Sequence, residues 1–491
     1  MKKLFFLTAF IFTFGAHAQV NESAKTYGAL ITTSDLKDNL SIIASDAMEG
    51  RETGTRGQKM AAAFIAAHFQ ELGLTAPVNG SYYQTVDLYG STPPVISVSS
   101  GATTLTQFEE YAYFGSSSTE GRVELPLVFV GKGSEDDLKQ IDVKGKAVLV
   151  IMEPGASLRN NPVITALREK EAKELFVIVE SKETYDRFSS FTKGGGGLSV
   201  SKGNSRPGLF ILTPAAAEKI IKISLVKLTK AVADKKLVKI KPTTVSYSIS
   251  QSFKDVKSEN ILGYLEGTDK KDELVVITAH YDHIGKKPSG EGDLINNGAD
   301  DDGSGTVSVM ALAKAFAAAK KAGAGPRRSI LFMTVTGEEK GLLGSDFYTQ
   351  HPIFPLANTV VDLNIDMIGR SDPQHKDSAP YVYVVGSDKL SSDLHTLSES
   401  VNKAGTNLIF DYTYNDEKHP DQIYYRSDHW NFAKKNIPII FYFDGIHEDY
   451  HAVTDEVSKI DFGLLTQRAQ CVFYTAWEIA NREQRLAVDK K

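Results

Sequence analysis

The apolar run Leu274–Ile277 leads into His280-Tyr281-Asp282. Further on, three consecutive aspartates, Asp300, Asp301 and Asp302, open into Gly303-Ser304-Gly305 and a helix-like stretch. This segment, Thr278 to Gly305, constrains the chain more than any other. An imidazole two residues from a carboxylate, followed by an acidic turn that starts a helix, is the chemistry a metal site needs. Each part has a plainer reading when taken singly. A His-x-Asp pair arises by chance, and an acidic turn is more often a helix N-cap than a ligand set.

The sequence that follows decides between them. From Asn260 onward, strand patterns alternate with helix patterns. Strands are expected at Leu274–Ala279, Ser329–Thr336, Val360–Asp366, Tyr381–Val385 and Pro438–Phe443. Helices are expected at Thr306–Ala322, Leu390–Ala404 and Asp461–Asn481. That order predicts an α/β fold with a mixed, mostly parallel sheet covered by helices on both faces. Ligand sites in such sheets gather at the C-terminal ends of strands. The first strand ends in His280 and Asp282, the second runs into Glu338 and Glu339, and the third ends at Asp366. After the last strand comes His447-Glu448-Asp449-Tyr450-His451. Acidic pairs are common on surfaces, but His and carboxylate at successive strand ends make one shared site the better reading. Cys471 is the only cysteine, so a thiolate cluster and an intramolecular disulfide are both excluded. Histidine and carboxylate ligands without sulfur suit zinc, or cobalt or manganese.

The chain has 491 residues, 42% hydrophobic and 24% charged, with a net charge of -6. No long basic run is present, which argues against nucleic acid. Lys2 and Lys3 precede the apolar run Leu4–Phe14 and a small-x-small signal at Ala16-His17-Ala18. Residues 1–18 therefore read as a signal peptide, too short to span a bilayer, and the protein is expected to be exported without membrane insertion. Two helix patterns within Asp35–Leu74 are broken by the glycine-rich loop Glu49–Gly57. Between Pro93 and Pro242, short strand-like runs dominate. Residues 93–242 thus read as a β-rich domain inserted into an α/β domain built from 19–92 and 243–491.

The segments HYDH, GADDDGSG, TGEEKGLLGS, NIDMIG and DYHAVTDE resemble the five motifs of the exported double-zinc aminopeptidases. That family also contains glutamate carboxypeptidase, the glutaminyl cyclases and the transferrin receptor ectodomain. The resemblance covers roughly Ser258–Ala480 and Leu36–Leu74, and the β-rich stretch resembles the protease-associated domain often inserted in such enzymes. It implies a metallo-aminopeptidase with two Zn2+ ions that removes N-terminal residues from peptides. His280 and Asp366 would hold one ion and Glu339 and His451 the other, with Asp301, three residues before Ser304, shared between them. Asp282 would accept a hydrogen bond from His280, and Glu338 would be the general base. The Asp301–Asp302 peptide would be cis. A phenol is expected just before Ser427-Asp428-His429, at Tyr424 by count, with Tyr425 as the alternative. His419, His429, His447 and Asp449 miss the motif positions and read as loop or outer groups. A carboxypeptidase or dipeptidase of the same family stays open, since Arg370 and Arg426 lie near motifs. A non-catalytic binding protein would be marked by lost ligands, and none is lost.

Overall fold

A computed structural model describes residues 20–490 apart from 116, 157, 159–160, 180, 194–196, 203–207 and 377. The expected leader, residues 1–18, lies outside the described residues. The chain divides into two units, 1–86 with 257–491, and 87–256.

In the first unit, seven strands run side by side in the order Ile409–Asp411, Tyr381–Val385, Ile439–Phe443, Thr359–Ile365, Lys270–His280, Arg328–Val335 and Phe253–Leu265. Lys270–His280 pairs in parallel with both Arg328–Val335 and Thr359–Ile365. Thr359–Ile365 is in turn parallel to Ile439–Phe443. Tyr381–Val385 and Phe253–Leu265 run antiparallel to their inner neighbours. The sheet is therefore mixed with a parallel centre.

The central strands are buried on both faces, which is why they read as nearly unbroken apolar runs. Val275, Ile277 and Ala279 pack on one side, in a core shared with the helices Thr33–Ile43, Arg56–Glu71, Gly305–Lys321 and Phe462–Asn481. Leu274 and Val276 face the other side, with Tyr348 and Phe432 from the helices Leu343–Gln350 and His429–Ala433. The expected strands and helices fall on these elements to within a few residues at their ends. Cys471 is buried in the last long helix.

The parallel register has a direct consequence for the site. His280 lies opposite Val335, and Thr278 lies opposite Asn364. His280, the turn after Val335 and Asp366 therefore leave the sheet at one edge.

The second unit is not simply β-rich. Its sheet includes a parallel core, Val123–Phe129, Ala147–Ile151, Glu174–Ile178 and Leu209–Leu212. Helices, among them Pro162–Glu169 and Pro214–Ile221, occur in the same stretch. Phe176 and Phe210 stack at 4.6 Å within its core. The unit's limits also differ from the expected 93–242. Thr243–Ser250 reads as a half-buried strand, and it pairs with Val95–Ser100 and Val123–Phe129, both inside the second unit. Backbone pairing, which spacing does not reveal, draws the boundary out to residue 256.

Phe316, on the helix that follows the aspartates, packs against Phe332, Phe473 and Trp477 with centroids 4.7 to 6.1 Å away. Phe316→Ala should cost about 3–5 kcal/mol of unfolding free energy in a denaturant titration, because the surrounding rings cannot fully close the cavity.

Candidate metal centre

His280 is the last residue of its strand and is buried. Its Nδ1 lies 3.0 Å from the Asp282 carbonyl oxygen. A carbonyl only accepts, so Nδ1 carries the proton and Nε2 turns inward with its lone pair free. The Asp282 carboxylate was the expected partner, but it stands 4.0 Å away. It accepts instead from the Thr53 hydroxyl at 2.5 Å and from the Glu338 backbone N–H at 3.4 Å. Asp282 thus ties the Glu338 turn to the loop before the second helix.

The three consecutive aspartates do three different jobs. Asp300 accepts from the Gly369 N–H at 2.7 Å and lies 3.1 Å from His447 Nε2. Asp302 accepts from the backbone of His280, Gly305 and Met367, closing the turn onto two strand ends. Only Asp301 points its carboxylate at the other ligand candidates. The Asp301–Asp302 peptide is cis, as the resemblance implies.

The two oxygens of Asp301 are divided. Oδ1 lies 3.2 Å from His280 Nε2, which is itself 3.5 Å from Asp366 Oδ1. Oδ2 lies 3.1 Å from His451 Nε2, which is 3.1 Å from Glu339 Oε2. Ligands about 2.0–2.2 Å from a tetrahedral zinc stand roughly 3.4 Å from one another, so these spacings fit a coordinated ion. The charge fits as well. Among the described residues, the ion-pair partners of Asp301, Glu338, Glu339 and Asp366 are imidazoles, leaving an excess of buried negative charge that a divalent cation would balance.

The titration behaviour follows from this crowding. Burial would lower His280, but Asp366, Glu338 and Asp301 outweigh it and hold its imidazole well above the usual value. Burial would raise Asp301, yet its bonds to His280 and His451 hold it well below the carboxylate range. Burial and Asp301 push Glu339 up, but His283 and His451 prevail and bring it down to about 2. Glu338 goes the other way. Burial and the neighbouring Glu339, Asp366 and Asp428 drive it well above an ordinary glutamate, against the pull of His280 3.9 Å away. Two adjacent glutamates are thus separated into a stable anion and a group that readily takes a proton.

A cavity opens in front of His280, Asp301, Glu338 and Asp366. Its far wall is apolar, with Met367, Ile423, Phe441, Phe443 and Ile446, and Arg426 and Tyr450 stand at the same cavity. Tyr424 is not among the residues that line it. The Tyr424 ring is buried and packs with Tyr425, His429 and Trp430. Tyr425 donates to Glu417 at 2.9 Å. The phenol beside the donor groups is Tyr450, stacked on His451 at 3.9 Å and 3.2 Å from Arg426 Nη2. It stands directly before His451 in the motif segment, on the far side of Ser427 from the count that gave Tyr424. The groups that miss the motifs are engaged elsewhere. His447 pairs with Asp300, His429 donates from Nε2 to the Tyr424 carbonyl, and Asp449 holds Arg370 and Lys459.

Two further residues were not read from the sequence. His283, the last letter of HYDH, is buried with Nδ1 2.8 Å from Glu339 Oε1. Arg51 is fully buried in the loop after the first long helix, and it donates to the carbonyls of Ile43, Tyr281, Asn297 and Gly298. Its guanidinium fixes the backbone that leads into the aspartate turn.

The profile of peptidase family M28 matches residues 260–476, which span every candidate ligand. That segment is therefore similar to peptidase family M28. With its gathered imidazole and carboxylate donors, the chain is a metallopeptidase. It is 25% identical over 456 residues to aminopeptidase YwaD of Bacillus subtilis (strain 168), covering 91% of this chain and 85% of that protein. It is 30% identical over 219 residues to a probable leucine aminopeptidase of Trichophyton verrucosum (strain HKI 0517), covering 43% of this chain and 55% of that one. The solved structure of an aminopeptidase from Aneurinibacillus sp. strain AM-1 shares the fold, with a TM-score of 0.57 at 18% identity over 95% of this chain and 98% of that one.

Arg51→Lys keeps the charge but loses the planar fork that reaches four carbonyls. Unfolding measured with chelator present should show a loss of about 2–4 kcal/mol, since buried acceptors are left unpaired.

Proposed function

We propose that this metallopeptidase is an exported aminopeptidase that releases N-terminal residues from peptides with the help of two metal ions, zinc by preference. The observation that carries the reading is the division of the Asp301 oxygens between two donor groups, one with His280 and Asp366 and the other with Glu339 and His451. The similarity to the Bacillus aminopeptidase and the probable Trichophyton leucine aminopeptidase supports aminopeptidase activity. The leader-like residues 1–18 support export, and no helix among the described residues is long and apolar enough to cross a membrane. The reading of residues 93–242, which lie within the second unit, as a protease-associated domain rests on the resemblance.

Bound there, the ions would supply Lewis acidity at the scissile carbonyl and lower the pKa of a water molecule from about 15.7 to about 7. The chain's own groups do the rest. Glu338 faces the cavity with an affinity for protons raised by its neighbours, so its carboxylate takes a proton from the attacking water and returns it to the leaving amine. Tyr450 supplies a phenol O–H for the developing oxyanion. The substrate ammonium group is attracted by the surrounding carboxylates, and the apolar wall from Met367 to Ile446 receives the first side chain. Arg426, at the same cavity with Nη2 3.2 Å from the Tyr450 hydroxyl, gives a second reading, in which its guanidinium meets the terminal carboxylate and short peptides are held by both ends.

The test is hydrolysis of free and N-acetylated aminoacyl substrates, each with and without a chelator. Free substrates should be cleaved and the chelator should stop the reaction; cleavage of the acetylated set alone would remove the aminopeptidase reading. A strong preference for dipeptides over longer peptides, lost in Arg426→Ala, would favour the second. Glu338→Ala should lower kcat by about 10²–10⁴-fold while metal analysis still finds both ions. Loss of metal from that variant would mean that Glu338 and Glu339 have each other's roles.

A further inference from the structure

His283 is absent from the five-residue donor set, yet it meets that set from the same loop as His280. Its Nδ1 lies 2.8 Å from Glu339 Oε1, whereas Glu339 Oε2 lies 3.1 Å from His451 Nε2. The two oxygens of Glu339 are thus divided, one to each imidazole. From Asp301 Oδ2, His283 Nδ1 is 3.9 Å away and His451 Nε2 only 3.1 Å. The seat of the ring is built. The His283 backbone N–H donates to the Arg51 carbonyl at 3.2 Å. Gly298 stands against the ring at φ +56, where a Cβ would lie 2.6 Å from His283 Cδ2 and 2.3 Å from the Asp301 carbonyl oxygen. Nε2 is buried and has no hydrogen-bond partner among the described residues, so Nδ1 is the atom through which the ring acts.

We propose that His283 is a positioning residue: its Nδ1–H holds Glu339 Oε1, so that only Oε2 faces the ion shared with Asp301 and His451. The proposal rests on the two-ion reading above. A glutamate side chain has freely rotating bonds, and an unpinned carboxylate would swing or present both oxygens, at an entropic cost on each binding event. Pinning one oxygen removes that freedom in advance, as partners behind metal ligands do. The other ion has the matching device, because the Ser427 hydroxyl donates to Asp366 Oδ2 at 2.6 Å and leaves Oδ1 beside His280.

The test compares the wild-type full chain with His283→Leu, which removes the donor, and His283→Asn, whose amide N–H falls near the place of Nδ1. Zinc content after dialysis and zinc affinity by chelator competition are measured for each, with thermal melts in excess chelator. His283→Leu should weaken one of the two ions about 10–100-fold and leave the other within about twofold, with His283→Asn recovering most of the loss. Melts of the metal-free proteins should coincide, which separates metal positioning from a folding defect; if the Leu variant does not fold, the Asn variant carries the comparison, and near wild-type affinity is then required of it. Undiminished affinity for both ions in His283→Leu overturns the proposal. So does equal weakness of the Leu and Asn variants, because the ring would then be a direct ligand or mere packing. A wild-type chain that binds fewer than two ions fails at the earlier step and removes the two-ion reading itself.

Discussion

Mutual repulsion of buried carboxylates governs this structure. Asp301, Glu338, Glu339 and Asp366 are brought together where water screens little, and each would raise the proton affinity of the next. The chain moderates the repulsion with His280, His283 and His451 and leaves a remainder suited to cations. Such a cluster stays together only if each member is fixed to something rigid. The parallel centre of the sheet provides this, because adjacent parallel strands end on one edge and deliver His280, the Glu338 turn and Asp366 side by side.

Fixing the backbone is not enough, since a carboxylate has two equivalent oxygens. Around this centre the oxygens are assigned separately. Asp301 divides its pair between two donor groups, Asp366 gives one oxygen to Ser427, and Glu339 gives one to His283. A layer of buried polar groups stands behind them. Asp302 and Asp455 accept backbone N–H groups of the aspartate turn and its neighbours, and Arg51 gathers four carbonyls around it. Each contact satisfies a buried group that would otherwise be costly to leave unpaired. The same contacts let a turn with three successive aspartates direct only one of them inward.

The difference between Glu338 and Glu339 shows how one sequence feature acquires two chemistries. Glu339 meets two imidazoles and stays an anion. Glu338 faces the cavity among other carboxylates, with one imidazole 3.9 Å away, and gains proton affinity. Identical side chains one position apart leave the turn on different sides, and the local field does the rest.

Much of this was legible in the sequence. Apolar runs of strand length alternating with helical periods signalled the α/β unit, and strand-end motifs located the donor segments, because hydrophobic pattern and residue type are local properties. Residues whose role depends on a distant partner escaped notice. His283 gains its meaning from Glu339, Arg51 from carbonyls far along the chain, and Tyr450 rather than Tyr424 from the shape of the cavity. The outer limits of the second unit moved once Thr243–Ser250 was seen to pair with strands before it. The sequence by itself determined which chemical groups are available and in what order, since these follow from covalent structure and short-range periodicity. Only the tertiary structure decided which oxygen of each carboxylate meets which imidazole, because that depends on strand register and on backbone groups brought together from remote parts of the chain.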